Sequence, residues 1–208
     1  GGLRQPVIAV PEPLTETERE RYQRTMAIDG FGEEAQGRLK AATVCCIGAG
    51  GLGGPVLQYL AASGVGRLIV VDDDVVEERN LQRQTLYGTT TLGTSKADAA
   101  AARLADLNPM VDVIPVHLRV TQETVEEILG DCDVVVDAVD NLPTRLVVAR
   151  ACQRLDLPLV FGAVQAVNGQ VTVLWERHGM ALSDLFPDPP RSCPTASEVG
   201  VLGPMTGW

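Results

Sequence analysis

The sequence has no pair of cysteines at C-x-x-C spacing, and its five cysteines are an odd number. A disulfide framework is therefore not expected. Four of the cysteines lie in or beside apolar segments and are predicted to be buried thiols: Cys45, Cys46, Cys132 and Cys152. No apolar run approaches the roughly 18 residues of a transmembrane helix, which excludes a membrane-spanning segment from the sequence pattern.

The sequence also lacks a surplus of basic residues. It contains 17 Lys and Arg residues against 27 Asp and Glu residues, which gives a formal net charge of −10 with neutral histidines. Nucleic acids and anionic membranes are bound through basic surfaces, so neither is an expected partner. The N terminus has no basic region followed by an apolar core, so no secretory signal is predicted and a cytoplasmic location is expected.

The composition is that of a globular protein, with 208 residues, 45% of them hydrophobic and 21% charged. A chain of this length buries roughly 70% of its unfolded surface and needs neither a disulfide nor a metal to fold. Residues 1–14 contain three prolines and begin with two glycines, so they are predicted to form a flexible arm. Residues 15–208 are predicted to form a single domain.

Helix and strand signals alternate through most of that domain. Residues 15–18 read Thr-Glu-Thr-Glu, a capping box that predicts a helix through about Ile28, and a second helix is predicted near 33–41. Strands, separated by helices, are predicted at 43–47, 68–71, 111–117, 133–139 and 159–162. This alternation predicts an α/β fold with a doubly wound, mostly parallel, Rossmann-like sheet.

The C-terminal part of the sequence departs from that alternation. Val164–Val167 and Gln170–Trp175 have strand character, and Asn168-Gly169 lies between them. Because Asn-Gly is a common two-residue hairpin turn, these segments predict a C-terminal β-hairpin extension of the sheet.

A glycine-rich motif follows the first predicted strand. Gly48, Gly50 and Gly53 have G-x-G-x-x-G spacing, and Asp72 follows nineteen residues after the last of them, at the end of the second strand. Such glycines let the backbone approach a phosphate at a helix N-terminus, and an acid in this position can bind ribose hydroxyls. The pattern indicates an adenine nucleotide without specifying which one, and the alternative is a turn that merely needs glycine.

Two further groups of polar residues follow. Asn80 and Arg83 lie in the segment NLQRQ, and Lys96 comes thirteen residues after Arg83. A guanidinium and an ammonium beside a phosphate site suit a triphosphate, although a solvated basic loop is the alternative. Asp140 and Asn141 follow the fourth strand, where a carboxylate could hold Mg²⁺ or either side chain could cap the next helix.

In this order, the segments RYQR, GAGGLG, NLQRQ, LGTSK and VVDAVDN resemble the MoeB/ThiF family of ATP-dependent adenylating enzymes, bacterial relatives of the ubiquitin-activating enzyme. The resemblance extends over about residues 17–207. It implies adenylation of the C-terminal Gly-Gly carboxylate of a ubiquitin-like sulfur carrier, ThiS-like or MoaD-like, with release of pyrophosphate. The pathway implied is sulfur transfer for thiamin or molybdopterin biosynthesis.

The resemblance also implies roles for individual residues. Arg83 and Lys96 would bind the phosphates of ATP, Asp140 would hold Mg²⁺, and Asp72 would hold the ribose. The rest of the implied nucleotide-binding set is Gly48, Gly50, Gly51, Gly53, Asp74, Asn80 and Asn141. Arg24 matches an arginine that the family inserts into the partner subunit's site, which implies a homodimer with shared sites. The sequence alone favours the alternative, in which Arg24 belongs to an ordinary basic helix turn.

Cys193 matches a region where ThiF-like members place a cysteine that forms a covalent link to the carrier, although a free loop thiol is the alternative. Many relatives hold a structural zinc with two C-x-x-C pairs, and because the first pair is absent here, no such zinc is expected. The sequence stops where the family's final glycine-rich helix would begin, so truncation at the C terminus is expected. Two other functions stay open: a nicotinamide-dependent oxidoreductase, suggested by the glycine motif and Asp72, and a non-catalytic carrier-binding module.

Overall fold

The computed structural model of the protein describes residues 9–185 and 200–207. Its centre is one six-stranded sheet in the order β3-β2-β1-β4-β5-β6. The strands are β1 (Thr43–Ile47), β2 (Arg67–Val71), β3 (Asp112–Val116), β4 (Val134–Asp137), β5 (Leu159–Gln165) and β6 (Asn168–Leu174). Neighbouring strands from β3 to β5 are parallel, whereas β6 is antiparallel to β5. The predicted doubly wound, mostly parallel sheet is confirmed.

Seven α-helices accompany the sheet in the described residues. They are α1 (Glu16–Met26), α2 (Gly32–Ala41), α3 (Gly53–Ala62), α4 (Lys96–Leu107), α5 (Val125–Leu129), α6 (Leu142–Leu155) and α7 (Leu182–Leu185). Short 3-10 turns cover Glu78–Asn80, Thr89–Thr91, Glu176–His178 and Gly203–Thr206. None of the helices in the described ranges combines the length and the hydropathy that a bilayer-spanning segment would have.

Two hydrophobic cores cover the two faces of the sheet, because alternate strand residues point to opposite sides. In β1, Cys46 packs into one core with Leu57 of α3 and Leu104 of α4. Cys45 and Ile47 pack into the other core, with Val125 of α5 and Val148 of α6. Cys132 and Cys152 also lie in that second core, so all four described cysteines are buried thiols, as predicted.

The first helix begins as the capping box predicts. The Thr15 hydroxyl accepts the Glu18 amide at 3.3 Å, and the Glu18 carboxylate accepts the Thr15 amide at 2.6 Å. On α1, Tyr22 is buried and its hydroxyl accepts a hydrogen bond from the Asn108 side chain. The end of the predicted arm contacts the domain, since Leu14 is buried and the Glu12 amide donates to the Gly37 carbonyl.

The hairpin is present, but its turn is not where the sequence predicts it. Asn168 and Gly169 belong to β6 and pair with Gln165 and Val164 of β5, so the prediction of an Asn-Gly turn is wrong. The two turn residues are Ala166, with a φ of 52°, and Val167. Ala166 is held from outside the hairpin, because its amide donates to the Gly200 carbonyl and its carbonyl accepts the Leu202 amide.

Candidate nucleotide-binding site

A cavity of about 690 Å³ opens at the carboxyl ends of the parallel strands. It is centred on β1 and β4, between which the order of strands along the sheet reverses. Crevices at such reversal points are the usual ligand sites of doubly wound sheets. The cavity walls come from the loop after each of β1, β2, β3 and β4, from the β5–β6 hairpin, and from the segment 200–207.

The glycine motif forms the turn from β1 into α3. Gly48 has a φ of +93°, and its amide donates to the Val71 carbonyl at 2.8 Å. A Cβ at Gly53 would overlap the Gly48 carbonyl, so the spacing of these two glycines is required for the turn itself. Gly48, Gly50 and Gly51 line the cavity, whereas Gly53 lies behind them as the first residue of α3.

Asp72 lies at the end of β2 and lines the cavity, and its role as a ribose ligand stays a prediction. Its carboxylate accepts the Ala49 amide at 2.8 Å and the Asp74 amide at 2.9 Å. Burial raises the pKa of Asp72, and the nearby Lys96 ammonium opposes that rise. The carboxylate therefore ties the glycine loop to the loop after β2.

Lys96 is the first residue of α4 and is only 5% exposed. Its Nζ lies 2.8 Å from an oxygen of Asp74, and both residues line the cavity. The buried Tyr87 hydroxyl links this helix to the glycine loop, since it lies within hydrogen-bond distance of the carbonyls of Ala49, at 2.7 Å, and of Lys96, at 3.2 Å. Burial, together with the charge of Asp72, raises the pKa of Tyr87, which keeps the phenol protonated.

Arg83 also lines the cavity, and its guanidinium donates to the Arg79 carbonyl at 3.3 Å. Asp140 also lines the cavity, as an exposed carboxylate with no hydrogen-bond partner among the described residues. Asn141 lines the cavity too, and its side-chain oxygen accepts the Thr144 amide at 3.0 Å. The capping alternative therefore applies to Asn141, which is the N-cap of α6.

Besides Gly53, two residues of the predicted site do not line the cavity, and a third lies outside the described residues. Asn80 is 6% exposed and does not line the cavity, and its side-chain oxygen accepts the Glu77 amide at 3.2 Å. Asn80 thus shapes the loop that carries Arg83. Arg24 is exposed on α1 and does not line the cavity of its own chain. Cys193 lies outside the described residues.

The structure also brings residues to the cavity that the motif analysis did not assign. Gln84 lies beside Gly50, is 4% exposed, and its side-chain oxygen has no hydrogen-bond partner in the described part of the chain. Thr206 packs against Gly51, and Arg145 lies on the wall formed by α6. Gln84 belongs to the NLQRQ segment, which could have identified it, but Arg145 and Thr206 carry no local signal of this kind.

Asp137 and Arg145 form a buried ion pair beside the cavity, with the carboxylate and guanidinium 3.2 Å apart. Asp137 is 1% exposed and Arg145 is 9% exposed. Burial raises the pKa of Asp137 to about 6 even though the Arg145 guanidinium opposes the rise.

Taken together, the strand order, the glycine turn and the positions of Arg83 and Lys96 at the cavity are those of a nucleotide-binding domain of the doubly wound α/β class. The model of the ThiF family matches residues 22–208. The chain belongs to the ThiF family.

Curated relatives of this chain include two of similar identity. The SAMP-activating enzyme E1 of Haloferax volcanii is 47% identical over 93% of this chain and 72% of its own length. The sulfur carrier protein adenylyltransferase of Thermus thermophilus is 48% identical over 91% of this chain and 72% of its own length. The adenylyltransferase and sulfurtransferase MOCS3 of Bos taurus is 42% identical, and the chain spans 43% of it.

Solved structures support the same fold. A selenomethionine crystal structure of PaaA has a TM-score of 0.76 and 25% identity, covering 94% of this chain and 64% of its own. The Escherichia coli tRNA N6-threonylcarbamoyladenosine dehydratase TcdA, in complex with ATP, has a TM-score of 0.70 and 28% identity. That match covers 73% of this chain and 63% of the dehydratase.

Proposed function

We propose that this protein activates the C-terminal Gly-Gly carboxylate of a ubiquitin-like sulfur carrier, ThiS-like or MoaD-like, by adenylation with ATP. The products are an acyl-adenylate and pyrophosphate, and the pathway is sulfur transfer for thiamin or molybdopterin biosynthesis. The observation that carries the proposal is the meeting of the glycine loop, Arg83 and Lys96 at one cavity in a chain of the ThiF family. The Thermus thermophilus relative is itself named a sulfur carrier protein adenylyltransferase.

The reaction gives a reason for Arg83 and Lys96 to lie at the cavity. A carboxylate is a poor electrophile, and attack of its oxygen on the α-phosphorus makes a carbonyl–oxygen–phosphorus linkage while pyrophosphate leaves with its electron pair. The protein's task is to position two anions and to offset their charge. The N–H groups at the start of α3, the Lys96 ammonium and the Arg83 guanidinium are suited to that task.

The proposal assigns Mg²⁺ to Asp140. Its carboxylate is exposed at the cavity wall and makes no hydrogen bond to the described residues, so it is available as a hard oxygen ligand. The Asp72, Asp73 and Asp74 carboxylates also lie within 4.8 Å of one another, but Asp72 already accepts two amides and Asp74 accepts Lys96. When bound, the ion would neutralise charge on the phosphates.

The proposal extends to assembly, to a covalent step and to location. Arg24, exposed on α1, is assigned to the partner subunit's site in a homodimer. Cys193 is assigned the covalent link to the carrier. The protein is assigned to the cytoplasm, where thiols are kept reduced, and the four described cysteines are buried thiols. The absence of a structural zinc stays a prediction, which metal analysis of the purified protein would check.

Pyrophosphate exchange tests the activity. Wild-type protein is incubated with Mg-ATP, labelled pyrophosphate and a ThiS-type or MoaD-type carrier, and the same carriers without their last two glycines are the controls. Label should enter ATP only when the terminal Gly-Gly is present. If no exchange occurs with either type of carrier, the proposed function is contradicted.

The two other functions give different results in the same preparation. A non-catalytic module would bind the carrier without exchange. An oxidoreductase would bind NADH in a titration and would not bind Mg-ATP, whereas the relatives named above support adenylation.

A further inference from the structure

The guanidinium of Arg145 joins three separate backbone segments at the wall of the cavity. It pairs with Asp137 at the end of β4, and it donates to the Val139 carbonyl and, at 2.7 Å, to the Gly162 carbonyl of β5. Its central carbon also lies 4.6 Å from the centre of the Phe161 ring. A single side chain from α6 therefore ties together β4, the loop after β4, and β5.

Both sides of Val139 are held by this ion pair. The Asp137 carboxylate accepts the Val139 amide at 3.1 Å, while Arg145 holds the Val139 carbonyl. Asp140 is the next residue, so the peptide group that leads into it is fixed at the carbonyl. Asp140 itself makes no hydrogen bond to the described residues, so its position depends on its backbone.

The backbone just before Val139 packs against the end of β1 and the glycine loop. The Ala138 amide donates to the Ile47 carbonyl at 2.9 Å. A Cβ at Gly48 would lie 2.8 Å from the Ala138 carbonyl oxygen and 3.2 Å from the Val139 nitrogen. Any movement of residues 138–139 toward β1 would therefore disturb the turn that faces the nucleotide.

We infer that Arg145 is a positioning residue, which holds the 138–140 backbone so that the Asp140 carboxylate and the glycine loop keep their distance from each other. The inference rests on the proposed function for its kinetic consequence and on the hydrogen bonds above for its geometry. Lysine could not replace this arginine, because an ammonium cannot reach a carboxylate and two carbonyls in one plane.

Stability alone does not account for the pair. Buried ion pairs can often be replaced by apolar side chains of similar volume without loss of stability, whereas removal of one partner is costly. The double substitution Asp137→Leu with Arg145→Met should therefore fold, but without hydrogen bonds to Val139. The double variant therefore tests whether Arg145 positions the loop, because it removes the hydrogen bonds to Val139 while the fold is kept.

Three variants test the inference in the full chain: Arg145→Lys, the double variant, and Arg154→Lys as a matched control. Arg154 lies on the same helix and pairs with Glu126 on the surface, away from the cavity. Amide hydrogen exchange over residues 138–142 reports on the loop, and pyrophosphate exchange gives kcat and KM for ATP. The melting temperature identifies any variant that is globally unfolded.

Arg145→Lys and the double variant should raise hydrogen exchange in 138–142 by about tenfold or more. They should lower kcat by about 10- to 100-fold with KM for ATP changed by less than about threefold. Arg154→Lys should match the wild type. A stable double variant with wild-type exchange in 138–142, or with wild-type kcat, would overturn the inference. If wild-type protein shows no activity, the proposed function fails, and hydrogen exchange still decides whether Arg145 holds the loop.

Discussion

At the scale of single residues, Lys96 has a role predicted from the sequence and a contact that only the structure shows. The family resemblance predicts that it binds a phosphate of ATP, and the structure places it on the cavity wall at the start of α4. The pairing of its Nζ with Asp74 is a tertiary contact between residues 22 positions apart. Because the Asp74 side chain is 69% exposed, that carboxylate can be solvated when the lysine is removed.

Lys96→Ala should therefore lower adenylation by about 100-fold or more, as expected for loss of a main electrostatic stabiliser of the transition state, with little effect on folding. Carrier-dependent pyrophosphate exchange is the measurement. Arg103→Ala is the matched control, since Arg103 lies on the same helix and pairs with Asp106 on the surface. Near-normal exchange in Lys96→Ala would show that this lysine does not act on the phosphates.

At the scale of secondary-structure elements, the turn between β1 and α3 requires glycine because two stretches of backbone touch there. Gly53 lies against the Gly48 carbonyl and leaves no room for a side chain, so β1 and α3 approach each other closely. Gly54, the next residue of α3, is packed against the Leu86 side chain, where an added Cβ would lie 3.3 Å from another Cβ. An added Cβ would therefore meet a backbone carbonyl at Gly53 and a side chain at Gly54.

Gly53→Ala should lower the free energy of unfolding by about 1–3 kcal/mol, the usual range for overpacking, and should weaken Mg-ATP binding. Gly54→Ala should be nearly neutral, because the small adjustment of Leu86 is offset by the helix propensity of alanine, worth up to about 1 kcal/mol. Urea denaturation and ATP titration of the two variants make the comparison. If the two variants had equal free energies of unfolding, the close contact between Gly48 and Gly53 would not be what excludes a side chain at residue 53.

At the scale of the whole molecule, the proposed assembly determines where Arg24 acts. It lies on α1, which is held to the domain by Tyr22, and it does not line the cavity of its own chain. A role in catalysis therefore requires a second copy of the protein. In a symmetric dimer each site would combine Asp140 of one protomer with the arginine of the other.

Mixing inactive Arg24→Ala and Asp140→Ala protomers should restore activity. Random reassortment makes half of the dimers mixed, and each mixed dimer has one intact site of two, so recovery should approach about one quarter of the wild-type rate. Pyrophosphate exchange after co-refolding or co-expression measures it, and each variant alone is the control. Mixed dimers without activity would place Arg24 outside the partner's site.

How much the sequence could predict differs between neighbouring residues. Asn141 was assigned to the nucleotide, and it lines the cavity, but its side chain caps α6; both roles are compatible with Asp-Asn after a strand. The prediction of the hairpin is confirmed and that of its turn at Asn168-Gly169 is wrong, because Asn-Gly is a local signal while Ala166 is held by Gly200 and Leu202 from a distant segment. Signals that involve distant partners leave no trace in local spacing.

The sequence by itself determined the sheet, the glycine loop and the cationic loop residues, because these depend on strand alternation, backbone sterics and charge over short spans. Only the tertiary structure decided the contacts across the cavity. Arg145 reaches a carbonyl seventeen residues away on β5, and Thr206 packs against Gly51 from the far end of the chain. The reason is physical: burial and hydrogen bonding between distant segments depend on how the strands are ordered, which the spacing of residues within each segment does not encode.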